Sequence, residues 1–388
     1  MASGQADRQV RPGARWNPRS APVCVRRRGR RMKRNWNGVY RVTGYDRVSG
    51  TMGDDALGLG TTGSSGRHAD PTGADPVGCA APGFRHDALL YDSAEELAAI
   101  AGPFLLEGLA AGDGAVIAAG PDVTAVLREA VDEDPLVLVL DRNALYRSRT
   151  PTAITTFRGL AEQASPGRRV RVVGEVDFGA TAADRHEWQR YEAVINSAFA
   201  TSPLWGLCIF STALPEPLLT TARQTHPHAV SAAGRTANPG YVDPAAYLAG
   251  LPVPEEPLEH TPPAFAVDDV TDFVGLRRAV RRLLSAVDGP EDQIEDFLLA
   301  VDEMASNGIR HGRRPVSLRL WTAPGRLVCT IGDSGGGPSD PFAGYGPAHG
   351  EDLSAGGMGL WLARQLCDHV ALRRDAHGSS VRLVTRWT

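Results

Sequence analysis

Three segments near the end of the chain, AVDEMASNGIRHG (300–312), IGDSGGG (331–337) and GGMGLWLARQLCD (356–368), decide how its last third folds. In and before the first, Ile294, Phe297, Leu298, Val301, Met304 and Ala305 recur at spacings of three and four, which predicts a helix with one apolar face. Glu303 and Asn307 stand one turn apart and project together from a neighbouring face. An amide oxygen and a carboxylate so placed suit hard-cation chemistry, the first as a Mg2+ ligand and the second as a group that orients or deprotonates a hydroxyl. The second segment reads as a strand ending in Asp333, with Gly335 and Gly337 behind it, so an uncrowded carboxylate can accept from the exocyclic amine of a base. The third is a glycine turn, Gly356, Gly357 and Gly359, opening a helix at Leu360 whose free N–H groups can face a phosphate. Ten of the 28 residues from Gly332 to Gly359 are glycine, which reads as a lid over a nucleotide. Each segment alone has a plainer reading as a solvated helix face, an Asp-Gly turn or a disordered connection.

Around these segments the pattern predicts an α+β two-layer sandwich over 265–388, one sheet with helices on one face: helices over 272–287, 291–312 and 359–367, strands near 265 and over 316–323, 326–333, 369–375 and 380–387. Over 83–230, short β-branched runs (114–120, 136–141, 170–176, 204–211) alternate with helical stretches (93–112, 122–131, 152–164, 183–200). That alternation predicts an open, mostly parallel α/β sheet. Seven prolines between 231 and 264 predict an extended linker. Residues 1–82, rich in Arg, Gly, Ser and Asp, read as a disordered basic extension, with Met32 and Met52 as alternative starts.

Composition sets the outer limits. The first 50 residues hold 13 of the 41 basic residues and two of the 45 acidic ones, a net +11 against −15 for the rest, so direct DNA binding by the whole chain is not expected. The five cysteines are widely spaced, without the paired spacing of a zinc motif, and predict inert thiols in a reduced cytoplasmic chain. No apolar run reaches the length of a membrane helix.

The three segments, in this order, resemble the GHKL (Bergerat) ATPase superfamily over residues 262–388. The resemblance implies ATP and Mg2+ as cofactors, Glu303 as catalytic base, Asn307 as Mg2+ ligand and Asp333 as adenine anchor. It implies Gly335, Gly337, Gly357 and Gly359 as lid and phosphate glycines with Leu360 opening the helix, and Ser380 where the family often carries a Thr near adenine. His311 and Gly312 match the family's helix end, where a C-terminal cap is an adequate explanation. Within the superfamily the domain looks most like the anti-sigma-factor serine/threonine kinases, which implies transfer of the γ-phosphoryl group to an anti-anti-sigma protein of the STAS type, a sigma factor as a further partner, and a homodimer. The rivals are a sensor histidine kinase and a non-catalytic binding module. Pro262 and Pro263 deny His260 the continuing helix that a phospho-accepting histidine needs. Helix 272–287 buries Phe273, Leu276, Val280, Leu283, Leu284 and Val287 and offers Arg277, Arg278, Arg281 and Arg282 to solvent or an acidic partner.

Residues 84–230 resemble the MEDS sensory domain, a RecA-like module, on FRHDALLY (84–91), GEVDF (174–178), RYEAVINSAF (190–199), WGLCIFST (205–212) and ARQTHP (222–227). No glycine-lysine phosphate loop is present. His86, Glu175, Glu192, Cys208 and His226 could converge at the strand ends to hold a ligand or metal, or could be buried, hydrogen-bonded structural residues.

Overall fold

The computed structural model describes residues 83–146, 149–346 and 358–387. The expected disordered extension 1–82 and Gly356 and Gly357 lie outside the described residues.

The first domain runs β1 (Arg85–Tyr91), α1 (Ala94–Ala111), β2 (Gly114–Ala119), α2 (Pro121–Ala130), β3 (Val137–Asp141), α3 (Arg142–Tyr146), α4 (Thr150–Ala161), β4 (Val170–Gly174), α5 (Ala182–Ala198), β5 (Leu204–Ser211), α6 (Glu216–Thr225), β6 (His228–Ser231), β7 (Gly234–Ala237) and α7 (Pro244–Gly250). Its sheet has the order β3-β2-β4-β5-β1-β6-β7, parallel throughout except for the β6–β7 hairpin. The central strands are buried on both faces, which is why they read as unbroken apolar runs. One face packs Leu89, Ile117 and Leu207 against Leu97, Leu105 and Leu127 of α1 and α2. The other packs Ala88, Val116, Val172 and Cys208 against α4, α5 and α6.

The proline-rich stretch is more ordered than an extended linker. It completes the first domain through β7 and α7, because Pro244 sits in the first turn of α7, where its missing N–H costs nothing and Asp243 caps the helix. The remainder straps onto the second domain. Pro257–His260 forms a 3-10 turn in which Leu258 packs on Trp321, Val328 and Val384, and Glu259 meets Arg373 at 3.1 Å, Arg382 at 2.9 Å and Thr330 at 2.6 Å. Burial pushes the Glu259 carboxyl up, but Thr330 and the two guanidinium groups hold it below its usual range.

The second domain runs β8 (Phe265–Val267), α8 (Phe273–Leu284), α9 (Glu291–His311), β9 (Val316–Ala323), β10 (Arg326–Asp333), α10 (Gly359–Leu366), β11 (His369–Asp375) and β12 (Gly378–Arg386). Its five strands form an antiparallel sheet of order β11-β12-β10-β9-β8. Helices α8, α9 and α10 bury Leu276, Val280, Phe297, Val301, Met304 and Ala363 on one face, against Leu318, Cys329, Ile331 and Leu383. In α9, Glu291 and Asp292 in the first turn and Arg310 and His311 in the last complement the helix dipole. No helix among the described residues is long and apolar enough to cross a membrane.

Candidate functional site

The sandwich brings the C-terminal half of α9, the end of β10 and the start of α10 to one edge. Glu303 and Asn307 are half-buried there, one turn apart. Gly359 opens α10 so close to α9 that a Cβ on it would lie 2.6 Å from Asn307 Nδ2 and 3.3 Å from Met304 Cε. A side chain there would have to displace the Asn307 amide, so the glycine lets the helix N-terminus sit beside it. The side chain of Leu360 packs into the domain core, so what it can offer a ligand is its backbone N–H in the first turn of α10.

Asp333 ends β10 in a prepared cradle. Its Oδ1 accepts from the backbone N–H of Gly335 at 2.7 Å and of Arg313 at 3.1 Å, and Ser379 Oγ lies 3.2 Å from Oδ2. A Cβ on Gly335 would approach Oδ1 to 2.6 Å, and one on Gly312 would reach Asp333 Cγ at 2.6 Å. Gly312 has φ −79, so the left-handed helix cap does not explain it. A Cβ there would also meet the Gly308 carbonyl oxygen at 2.5 Å, so the helix end and Asp333 together leave no room for a side chain. Gly337 adopts φ +65 beside Ser379, a conformation that favours glycine.

Ser380 is not at this edge. Antiparallel register pairs Ser379 with Asp333 and Ser380 with Gly332. Directly paired residues share a face, so Ser380 lies with Arg382 and Val384 on the side covered by the linker strap, and Ser379 is the serine beside Asp333. Arg277 also differs from expectation: it pairs with Asp302 of α9 at 2.8 Å, leaving Arg278, Arg281 and Arg282 as the exposed cations of α8. His260 is exposed in the 3-10 turn.

The start of the glycine loop reaches the first domain, a contact no sequence pattern announced. Tyr345 is 3% exposed, its hydroxyl accepts from Arg190 Nε of α5 at 2.8 Å, and its ring lies 4.3 Å from the Arg364 guanidinium of α10. The two domains also meet in a cavity of about 260 Å³ lined by Arg149, Asp184, Glu187, Arg364, Asp368 and Arg386 among others. Asp184 of α5 stands 2.6 Å from Arg386 of β12 and 3.2 Å from His369 of β11, and Arg149 pairs with Asp368 at 3.0 Å. Burial pushes the Asp184 carboxyl up, but hydrogen bonds from His369, Thr181 and Arg386 outweigh it and hold the group far below the usual carboxylate range.

The same two blocks emerge from comparison with known proteins. Residues 85–227 match the MEDS (methanogen/methylotroph, DcmR sensory) domain, and residues 267–385 match the histidine kinase-like ATPase domain. Serine-protein kinase RsbW of Bacillus licheniformis and of Bacillus subtilis are each 30% identical over 117 residues, covering 27% of this chain and 73% of the relative. The chain belongs to the RsbW family. RsbW of Bacillus velezensis is 29% identical over the same length. The crystal structure of the RsbU and RsbW domains of a Mycobacterium tuberculosis protein is 18% identical, with a TM-score of 0.24 over 32% of this chain and 32% of that one. In this chain the histidine kinase-like ATPase domain follows a MEDS domain.

Proposed function

We propose that this chain is an ATP-dependent regulator that phosphorylates a serine or threonine of an anti-anti-sigma protein, binds a sigma factor as its second partner, and is controlled by its MEDS domain. The observation that carries the reading is the close seat of Gly359 on Asn307, which joins a helix N-terminus to a cation-ligating amide at the edge where Asp333 is held ready to accept. Asn307 would hold Mg2+, Asp333 and Ser379 the adenine, and Gly357, Gly359 and the Leu360 N–H the phosphates. When bound, ATP would supply the γ-phosphoryl group and leave as ADP, and the metal would neutralise the phosphate charge. Glu303 accepts the hydroxyl proton of the protein substrate, and the rest of the site positions and excludes water. Arg278, Arg281 and Arg282 supply a cationic face for an acidic partner. The contact of Tyr345 with Arg190 ties the glycine loop to the sensory domain and supports control by that domain.

The test is incubation with labelled Mg-ATP and STAS-type antagonist proteins. Wild type should transfer label to the antagonist, Glu303→Ala should bind ATP without transfer, and Asn307→Ala should lose Mg-dependent binding. Label on a histidine of the chain itself, or ATP binding without transfer to any antagonist, would overturn the kinase reading.

A further inference from the structure

The first domain contains a second cluster of chemistry-bearing side chains, which shares no residue with the edge formed by α9, β10 and α10. His86 of β1, Glu192 of α5, Cys208 of β5 and His226, just after α6, are all buried, Glu192 and His226 completely. Their donor atoms all lie within 4.8 Å of one another. His86 Nε2 is 3.3 Å from Cys208 Sγ and 3.5 Å from Glu192 Oε2, and His226 Nε2 is 3.3 Å from the same oxygen. Bonds of about 2.0 Å to nitrogen and oxygen and about 2.3 Å to sulfur, in tetrahedral array, place donors about 3.2–3.6 Å apart. The strand register explains the convergence: Ala88 pairs with Cys208 and His86 with Gly206, so His86 and Cys208 leave the same face of adjacent parallel strands, under α5 and α6.

The hydrogen bonding around the cluster fixes which atoms face inward. Asn196 donates its amide N–H groups to the carbonyls of Glu192 and Thr225 and so presents Oδ1 to His86 Nδ1 at 3.1 Å. An amide oxygen only accepts, so His86 carries its proton on Nδ1 and turns the Nε2 lone pair inward. His226 Nδ1 lies 2.9 Å from the Ala222 carbonyl, which fixes the same tautomer. Among the described residues, both carboxylate oxygens of Glu192 and the Nε2 of His226 have no hydrogen-bond partner. Acceptor lone pairs therefore converge on a single buried point with a carboxylate among them, an arrangement that is costly to leave uncompensated. A divalent cation there satisfies all of them. With Cys208 as thiolate, its proton released to solvent, the ligand set carries two negative charges and balances the ion.

We propose that His86, Glu192, Cys208 and His226 form a closed tetrahedral site for a divalent ion of the zinc class, clamping β1, β5, α5 and the end of α6. The thiolate and two imidazoles select a borderline-soft ion over Mg2+ or Ca2+, which favour oxygen donors. Asn196 and the Ala222 carbonyl are the outer hydrogen-bond partners that such imidazole ligands regularly use.

The full chain, stripped with chelator and titrated with zinc and with cobalt(II), tests the site. Expected are one equivalent bound with submicromolar affinity and, for cobalt, the intense near-ultraviolet thiolate band with tetrahedral visible bands. Cys208→Ser should abolish the thiolate band, Asn196→Leu should weaken affinity about 10- to 100-fold, and replacing Cys24 and Cys79 by Ser should change neither. The wild-type titration decides even where a core variant fails to fold. No stoichiometric binding to the refolded or native wild type, octahedral cobalt spectra without a thiolate band, or a thiolate band lost with Cys24 and Cys79 would each overturn the proposal.

Discussion

Replacing Tyr345 by Phe isolates the contact between the glycine loop and the sensory domain. The ring and its stacking on Arg364 are retained, and only the hydroxyl that accepts from Arg190 at 2.8 Å is lost. A hydrogen bond to a charged donor in a site this buried contributes about 1.5–3 kcal/mol. At about 1.4 kcal/mol per factor of ten, the undocked population of the loop should rise roughly 10- to 150-fold. Hydrogen exchange reads this directly, because Ala343 and Tyr345 donate their amides within the turn at 340–345 and exchange when it opens. Their protection should fall by that factor while the amides of β2 and β4 keep theirs. Arg190→Met should produce a similar loss, and the double variant little more than either. A change in protection below twofold, or additive losses in the double variant, would show that this hydrogen bond does not hold the loop.

Asp184→Asn keeps the N3 oxygen that closes the capping box of α5 but removes the charge facing Arg386 and His369; discounted for partial exposure, the loss should be about 1 kcal/mol of interdomain coupling, measured by a double-mutant cycle with Arg386→Gln. Because the folded carboxyl lies below its ordinary 3.8, its contribution is fully present above that value and disappears as pH falls through the lower folded one, so wild type should lose interdomain protection at strongly acid pH and the Asn variant should lack that step. Gly359→Ala must move Asn307 or α10 and should weaken Mg-ATP binding tenfold or more in calorimetry with the far-ultraviolet spectrum unchanged. Ser379→Ala should weaken ATP binding several-fold and Ser380→Ala should leave it within twofold, the reverse result being incompatible with the β10–β12 register.

The apolar repeat of α9 and the runs of the parallel sheet were legible because burial imposes a period that tertiary contacts do not alter. Ser380 stands one residue from the position paired with Asp333, and in a strand one residue is the whole difference between two faces. The ordered part of the proline-rich stretch escaped notice because Pro244 starts a helix rather than ending one. In the first domain four of five singled-out residues come together, whereas Glu175 at the end of β4 turns to Arg142 and the Gly120 N–H. Paired-cysteine spacing could not reveal the cluster, since its donors are as much as 140 residues apart and only the fold unites them. The Tyr345–Arg190 contact, across 155 residues and two domains, has no periodic signal at all.

Helix α5 carries Asp184, Arg190 and Glu192 within nine consecutive positions, about 12 Å of a rod stiffened by its own hydrogen bonds. One of them answers to the second domain's sheet, one to the glycine loop and one to the buried donor cluster. Such a rod has no slack between its attachments. A shift of α5 that adjusts Glu192 by an ångström must carry Arg190 and Asp184 with it, so the fit of the inner cluster and the tethering of the loop are not independent variables but two gauges on one shaft.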